Sequence, residues 1–343
     1  MTALRICVYG VGVIGGLLAA ALARKGHDVT VVGRGPHLAA IRDGGLVIAA
    51  GAARTVTPLR ATDRGADCGP QDLVIVATKT VAHPEIAGAV AAMLAPGGVA
   101  IFAANGVFWF YGDGFRPGGR DIALADLDPV GTLHREIGAD RAMGMVCFAG
   151  GEIREPGVIE KTDSYGAGHF IAGAAVAGAA ERGLAIAAAL DGPDARIVGT
   201  SDIRQAMWRK YIPVVGSQAI AALTGATVGE LYGDADVREV ALALMGEAHA
   251  VALAHGFADL GFDPEAVRRR PNTTPHKTSM LQDLERGRPM EIPSQFGALK
   301  AMALQTGVAT PTLDVVLPLL RLRARLAGCL APAANTLQRR PAI

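Results

Sequence analysis

Near its start the chain reads Arg5-Ile6-Cys7-Val8-Tyr9-Gly10-Val11-Gly12-Val13-Ile14-Gly15-Gly16. An apolar strand leads into a glycine turn, and an alanine-rich helix follows from Leu17 to Ala23. The pattern is G-x-G-x-x-G: Gly10 makes the tight turn, Gly12 lets backbone approach a pyrophosphate, and Gly15 lets the helix lie close to the strand. The amino terminus of such a helix offers N–H groups and partial positive charge to phosphate.

A second apolar strand, Val29–Val32, follows this helix and completes the context in which the glycine pattern binds a dinucleotide. The alternative is a glycine turn that holds no ligand. The predicted cofactor-binding loop runs from Gly10 to Gly15 and includes Val11, Val13 and Ile14.

Composition excludes several classes of protein. The 343 residues are 50% hydrophobic, enough for two domains with sizeable cores, and the net charge of +1 predicts neither a nucleic-acid partner nor a membrane partner. The four cysteines form no C-x-x-C pair, so we expect reduced thiols and no metal site. The first strand begins too early to leave room for a signal peptide, which predicts a cytoplasmic protein.

The order of predicted elements indicates an α/β fold. Up to about residue 200, strands alternate with helices, which predicts an amino-terminal Rossmann-type, doubly wound parallel sheet in a domain spanning 1–200. Lys79 follows the strand that starts at Asp72, and Asn105 follows the strand Val99–Ala104, so both are expected at the carboxyl edge where ligands bind. Further strands are expected at 143–148, 158–161 and 169–172, and a hairpin at 46–60.

Helical patterns dominate the rest of the chain and predict an all-helical domain at 201–330, followed by a flexible tail at 331–343. A long helix is expected over Asp202–Leu223. Asp236 is the expected cap of a helix ending near His255, and Ser279 with Gln282 fits a capping box. Further helices are expected at 293–306 and 313–326.

One stretch, 107–142, interrupts the regular alternation. It begins with the aromatic run Phe108-Trp109-Phe110-Tyr111 and includes a predicted helix near 129–137. Two interpretations stay open: a surface excursion pinned by its aromatic rings, or a lid over a substrate site.

The end of the second strand bears on the choice of cofactor. NAD-binding sites usually place a carboxylate there, whereas this chain has Gly33-Arg34. Because a guanidinium matches a phosphate bidentately, Arg34 favours NADP; the alternative is a solvated loop arginine.

A second group of residues lies on the long helix. Lys210, Val214, Ser217 and Gln218 share one helical face by their spacing. A lysine on such a face either donates a hydrogen bond to a ketone oxygen during hydride transfer or is simply solvated.

Three separated segments favour the functional interpretation. They are Asn105-Gly106, Trp208-Arg209-Lys210 and His276-Lys277-Thr278-Ser279-Met280-Leu281-Gln282-Asp283-Leu284-Glu285-Arg286-Gly287-Arg288-Pro289-Met290-Glu291-Ile292. Together with the glycine turn, and in the same order, they closely resemble the motifs of the ketopantoate reductase (2-dehydropantoate 2-reductase) family. The resemblance covers nearly the whole chain.

The resemblance implies NADPH-dependent reduction of a 2-keto acid to the 2-hydroxy acid, in a cleft between a Rossmann domain and a helical domain. It implies that Lys210 hydrogen-bonds the keto oxygen and supplies the proton, with Glu291 near that lysine and the cofactor. Asn105 is matched to both nicotinamide ribose and substrate, and Ser279 to substrate. Lys79 and Arg34 are matched to cofactor contacts.

The departures from the family pattern concern the rest of the substrate. Where the family commonly has asparagines on the lysine's helical face, this chain has Val214 and Gln218, and both are expected to contact substrate. A further asparagine is replaced by Phe296, and a usual aspartate by Pro293. An apolar lining discriminates weakly for hydroxyl groups. The substrate is therefore either ketopantoate itself, and the enzyme a step of pantothenate biosynthesis, or a bulkier, less hydroxylated 2-oxo acid or ketone.

Two other classes of function fit the sequence less well than a reductase. A non-catalytic NADP-binding sensor is compatible with the altered lining, but it has no need of Lys210 and Glu291. A Rossmann methyltransferase has no role for Arg34 or for the helical domain. A homodimer formed through the apolar helices is a weaker expectation.

Overall fold

The structure, a computed structural model, describes residues 2–162, 169–269 and 274–330. The chain divides into two compact units, Met1–Met207 and Trp208–Ile343, and the division falls within one long helix. The predicted tail at 331–343 lies outside the described residues.

The first unit consists of alternating strands and helices. Its strands are β1 (Arg5–Tyr9), β2 (Asp28–Val32), β3 (Leu46–Ala50), β4 (Ala53–Thr57), β5 (Arg60–Thr62), β6 (Gln71–Val76), β7 (Leu94–Ala103), β8 (Ala142–Phe148), β9 (Gly151–Glu155), β10 (Val158–Lys161), β11 (His169–Ala174) and β12 (Arg196–Thr200). Its helices are α1 (Val13–Arg24), α2 (Gly35–Gly44), α3 (His83–Met93), α4 (Thr132–Glu136) and α5 (Ala180–Leu190).

The main sheet has the order β12-β11-β8-β7-β6-β1-β2-β5. The six neighbouring strands β8-β7-β6-β1-β2-β5 pair in parallel, as their continuous apolar sequences predicted. This confirms the α/β fold with a parallel-strand sheet. The exception is β11, which pairs antiparallel with β8 and parallel with β12. Within the described chain, β8 is followed by the short strands β9 and β10 and not by a helix. A parallel return to the same sheet needs a long crossover connection, usually a helix, so β11 lies beside β8 in the antiparallel direction.

A smaller sheet has the order β4-β3-β10-β9. The predicted hairpin is confirmed as the antiparallel pair β3–β4, although its second strand begins at Ala53 rather than Val56. The predicted strand at 158–161 is confirmed as β10, but it pairs in parallel with β3 in this smaller sheet and not in the main one.

The core of the first unit lies against the faces of the main sheet. Side chains of β1 and β6 such as Ile6, Val8 and Ile75 are fully buried, and so are Leu18 and Leu22 on α1. Burying one such aliphatic side chain contributes roughly 1.5–3 kcal/mol. The packing holds α1 on β1 and thereby sets the position of the glycine turn between them.

The aromatic run of the 107–142 stretch is buried. Phe108 stacks on Phe110 with ring centroids 5.3 Å apart, and Trp109 meets the ring of Phe102 on β7 edge-on at 5.6 Å. These contacts support the interpretation of an excursion pinned by aromatic rings. The predicted helix near 129–137 is shorter than expected, because Gly131 before it adopts a left-handed conformation with φ +68°.

A buried arginine ties this stretch to the end of the first unit. Arg204, only 3% exposed, donates hydrogen bonds to the backbone oxygens of Tyr111, Asp113 and Ala175, each at 2.7 Å. Its guanidinium also lies 4.7 Å from the ring centroid of Phe115. One side chain therefore satisfies three backbone acceptors at once.

The second unit is helical. The described helices are α6 (Ile203–Thr224), which begins in the first unit, α7 (Val228–Gly233), α8 (Ala235–Ala254), α9 (Pro264–Arg269), α10 (Ser279–Glu285), α11 (Ala298–Thr306) and α12 (Pro311–Leu326). Within the described ranges, no helix has the length and apolar character needed to cross a membrane.

Two predicted helix starts were wrong. Asp234, not Asp236, caps α8 by accepting a hydrogen bond from the N–H of Val237 at 2.9 Å. Thr278, not Ser279, caps α10, because its backbone is extended and its hydroxyl accepts from the N–H of Leu281 at 3.3 Å. The long helix expected over 202–223 is confirmed as α6.

Close contacts hold the helices of the second unit together. A Cβ placed on Gly216 of α6 would lie 2.5 Å from the side chain of Met245 on α8, so the glycine permits the two helices to approach. The Glu247 carboxylate on α8 accepts hydrogen bonds from the N–H groups of Thr312 (2.6 Å) and Leu313 (2.9 Å). A carboxylate at a helix amino terminus also meets the positive end of the helix dipole.

We expect Arg204→Met to destabilise the first unit by about 3 kcal/mol or more, because three buried carbonyl oxygens lose their donor. For a unit of this size the loss corresponds to a decrease of roughly 6–12 °C in Tm, measured by thermal unfolding followed by circular dichroism. The control is Arg135→Met, at an exposed ion pair with Glu136, which should change Tm little. Equal Tm values for the two variants would contradict the role assigned to Arg204.

Candidate functional site

The glycine turn has the geometry that its pattern predicts. Gly10 has φ +100°, and a Cβ there would lie 2.8 Å from Cγ2 of Thr78. A Cβ on Gly15 would lie 1.9 Å from the carbonyl oxygen of Gly10, so α1 starts in direct contact with the turn. At Gly12, the cap of α1, a Cβ would meet no atom within 4 Å. Open space therefore faces the amino terminus of α1, whose first turn carries no acidic residue.

The other predicted cofactor residues lie along the same edge of the main sheet. Asn105 follows β7, Lys79 follows β6 and Arg34 follows β2, while the glycine turn follows β1. These four strands are neighbours in the order β7-β6-β1-β2 and run in parallel, so the residues are spread over roughly 14 Å at one edge. The structure thus brings the predicted cofactor residues of the first unit into one row.

Arg34 is tied to the glycine turn through its neighbour. A Cβ on Gly33 would lie 2.6 Å from the side chain of Val11, so the end of β2 packs directly against the turn. Arg34 itself is exposed and is the amino-terminal cap residue of α2. Lys79 and Asn105 are half-buried.

In the second unit, the two residues before Lys210 anchor α6 to neighbouring segments. Trp208 is fully buried against the rings of Tyr211 and His255, and burial lowers the pKa of His255 to about 4. Arg209 donates to the backbone oxygen of Asp259 at 3.1 and 3.2 Å. Lys210 is 8% exposed, so the amine is held in a largely water-excluded position.

Glu291, 6% exposed, immediately precedes an irregular helix. Residues Pro293–Gly297 form a π-helical turn, and α11 follows it directly. The N–H of Gln295 donates to the Glu291 backbone oxygen at 3.1 Å, and the hydroxyl of Tyr211 donates to the Gln295 backbone oxygen. The residue after Lys210 is thereby bonded to the turn that follows Glu291. Single π-helical turns occur often at functional sites.

Gln218 and Ser279 are bonded to each other. The side-chain Nε2 of Gln218 donates to Oγ of Ser279 at 3.1 Å, and its Oε1 accepts from the N–H of Met280 at 2.9 Å. Gln218 is 7% exposed, whereas Ser279 is half-buried. The amide predicted to contact substrate is thus engaged with the first turn of α10.

The two apolar replacements differ in their surroundings. Val214 is half-buried on α6, between Lys210 and Gln218 on the same face. Phe296 is fully buried in the π-helical turn. Val214 is therefore the replacement that retains accessible surface beside Lys210.

Sequence reasoning assigned no role to His276. Partial desolvation and the positive charge of Lys210 lower the pKa of its imidazole, although the side chain is exposed. The position of His276 at the start of the long family motif, three residues before Ser279, was the available signal. Tyr211 gave no such signal, because its partner Gln295 is distant in sequence.

No group of three or more His, Cys, Asp or Glu side chains within the described ranges is arranged to hold a metal ion. Arg34, Lys79 and the open amino terminus of α1 are instead suited to phosphate.

Two family models match the chain. The model for ketopantoate reductase PanE/ApbA matches residues 6–113, and that for its carboxy-terminal domain matches residues 202–324. Among curated relatives, a 2-dehydropantoate 2-reductase from Mesorhizobium japonicum is 33% identical over 328 residues, covering 95% of this chain and 99% of the relative.

Solved structures agree with these matches. A structure from Ralstonia solanacearum MolK2 has a TM-score of 0.85 and 32% identity, covering 96% of this chain and 100% of its own. A 2-dehydropantoate 2-reductase from Geobacter metallireducens GS-15 has a TM-score of 0.78 and 26% identity, covering 93% of this chain and 99% of its own.

The glycine turn generates a stability prediction. We expect Gly15→Ala to lower Tm strongly, because the new methyl group overlaps a backbone oxygen that cannot move away, at a cost of about 3 kcal/mol or more. Gly12→Ala, with allowed backbone angles and open space, should leave the stability of the free protein within about 0.5 kcal/mol. Thermal unfolding without added nucleotide measures both variants. A large loss of stability in Gly12→Ala would contradict the open space described at the turn.

Proposed function

The chain belongs to the ketopantoate reductase family, and on that premise we propose that it reduces the ketone of a 2-oxo acid to a hydroxyl with NADPH as reductant. Membership makes it a pyridine-nucleotide-dependent oxidoreductase acting on the C=O/CH–OH pair. The observation that carries the proposal is the buried Lys210 on the face of α6 that also presents Val214. A water-excluded amine is suited to acid catalysis beside a ketone.

When bound, a reduced nicotinamide would supply the hydride for the carbonyl carbon. Lys210 donates a hydrogen bond to the keto oxygen, stabilises the negative charge that develops there, and transfers a proton to give the hydroxyl. Lys210 then regains a proton from solvent, so that one hydride and one proton are consumed per ketone. A carboxylate near the lysine, the role proposed for Glu291, favours the charged form of the amine.

The glycine turn, Lys79 and Asn105 are proposed to hold the cofactor, with Asn105 also contacting substrate. The open space at Gly12 supports a pyrophosphate there, since any side chain would fill that space. Arg34 is proposed to bind the 2′-phosphate that distinguishes NADP from NAD, because β2 ends without a carboxylate and Arg34 is exposed beside the turn.

For the substrate, Val214 is the most informative residue. A valine neither donates nor accepts a hydrogen bond, so the surface beside Lys210 favours an apolar substituent over a hydroxyl. We therefore propose a 2-oxo acid with a bulkier or less hydroxylated side chain than ketopantoate, with ketopantoate as the alternative. A panel of 2-oxo acids that includes ketopantoate, assayed by NADPH oxidation, decides between them. Tight NADPH binding without turnover of any member would instead favour a sensor.

Two expectations from the sequence stay predictions: a homodimer and a cytoplasmic location. Size-exclusion chromatography with light scattering measures the first, and cell fractionation measures the second.

Lys210→Ala should lower kcat by about 10²- to 10⁴-fold, because the acid that stabilises the developing alkoxide is lost. The affinity for NADPH, measured by fluorescence titration, should change little. Arg209→Ala is the matched control: it removes the adjacent cation, which is exposed and bonded to a loop carbonyl, and should retain turnover. Near-normal kcat in Lys210→Ala would remove this lysine from the mechanism.

Arg34→Ala should weaken NADPH binding by about 10- to 100-fold, the range expected for charge-assisted hydrogen bonds to a phosphate. NADH binding should be unaffected, because NADH lacks the 2′-phosphate. Arg42→Ala, also an exposed arginine on α2, controls for the change in net charge. Equal affinity of the unmodified protein for NADH and NADPH would overturn the role of Arg34.

A further inference from the structure

The side-chain amide of Gln218 has only one chemically acceptable orientation. The N–H of Met280 is a donor, so the atom that it meets at 2.9 Å must be the oxygen, Oε1. The amide nitrogen Nε2 then faces Oγ of Ser279 at 3.1 Å and must donate to it. This assignment follows from the backbone donor and not from a choice between two similar atoms.

The orientation of the amide determines what Ser279 can do. A serine hydroxyl has one hydrogen to donate, and its oxygen already accepts from Gln218. No acceptor for that hydrogen is found among the described residues, and Ser279 as a whole is half-buried. A hydroxyl that accepts one hydrogen bond becomes a stronger donor of another.

We propose that Gln218 is a positioning residue that acts through Ser279: it fixes the Ser279 hydroxyl as a hydrogen-bond donor to the carboxylate of the 2-oxo acid. This inference rests on the proposed function and deepens it. Gln218 uses its oxygen and one of its two N–H groups in these bonds, and the double-mutant cycle below separates a direct contact of the second N–H from action through Ser279.

The placement of Lys210 is consistent with this assignment. Lys210 and Gln218 lie about two helical turns apart on one face of α6, about 12 Å along the axis. A 2-oxo acid carries its keto oxygen and its carboxylate on adjacent carbons, so the keto oxygen is assigned to Lys210 and the carboxylate to Ser279.

The longer side chain of Gln218 reaches α10 and bonds there, whereas Val214, one helical turn earlier, neither donates nor accepts a hydrogen bond. Recognition by this helix face is therefore centred on the 2-oxo acid group.

The test is a double-mutant cycle with steady-state kinetics on the full chain, using NADPH and the 2-oxo acid from the panel that gives the highest kcat/KM. In Gln218→Glu, a carboxylate still accepts from Met280 but can only accept from Ser279, so it turns the hydroxyl hydrogen away from substrate. We expect KM to rise about 10- to 100-fold, with kcat changed less than about threefold and NADPH affinity unchanged.

When Ser279→Ala is already present, adding Gln218→Glu should raise KM less than about threefold above that of Ser279→Ala alone, because the hydroxyl through which Gln218 acts is gone. Gln218→Met, which is uncharged, should raise KM less than Gln218→Glu, since the hydroxyl is then free to rotate. Gln205→Glu is the matched control: it makes the same change at an exposed glutamine on α6, more than three helical turns from Gln218, and should leave KM unchanged. Thermal unfolding confirms that each variant is folded.

A KM effect of Gln218→Glu that is equally large with and without Ser279 would overturn the proposal, because Gln218 would then act directly. So would KM values of Gln218→Glu and Gln218→Met equal to that of the unmodified chain. An unmodified chain that reduces no 2-oxo acid would overturn the proposed function as well. If the unmodified chain is active but the effect of Gln218→Glu on KM does not depend on Ser279, only the role of Gln218 is overturned.

Discussion

The rest of the site depends on one close contact between α1 and the end of β1. A side chain on Gly15 would meet the Gly10 carbonyl oxygen at 1.9 Å, so the helix can start directly after the turn only because Gly15 has none. That start puts the amino terminus of α1 at the carboxyl edge of the main sheet. The ends of β2, β6 and β7, with Arg34, Lys79 and Asn105, lie along the same edge. The absence of a side chain at Gly15 therefore allows the electropositive end of α1 to lie among these side chains.

Local patterns were sufficient to predict the parts of the fold that depend on near neighbours. The glycine spacing, the apolar runs of β1 and β6 and the long helix containing Lys210 all express relations within a few residues or turns. The shared face of Lys210, Val214 and Gln218 likewise follows from helical periodicity alone. The resemblance to a family then supplied the chemical roles proposed for these positions, which geometry by itself does not assign.

What could not be predicted involves partners that are distant in sequence. The small sheet and the antiparallel pairing of β8 with β11 join segments whose apolar patterns do not specify direction. Thr278 and Ser279 are both good caps, and only the backbone angles decide between them. The amide of Gln218 looked available for substrate because its partner lies 61 residues away. Sequence therefore predicted candidate residues of the site but not the hydrogen bonds between them.

The hydrogen bond between Tyr211 and the backbone of Gln295 links two segments that carry the proposed acid and its carboxylate. Tyr211 is fully buried, and burial raises the pKa of its phenol, so the hydroxyl stays protonated and remains a donor. A random-mutagenesis screen for inactive enzyme would accordingly return substitutions at this tyrosine even though it touches no ligand. In evolutionary terms, Tyr211 and the irregular turn after Glu291 are expected to change together, while surface positions on the same helices drift freely.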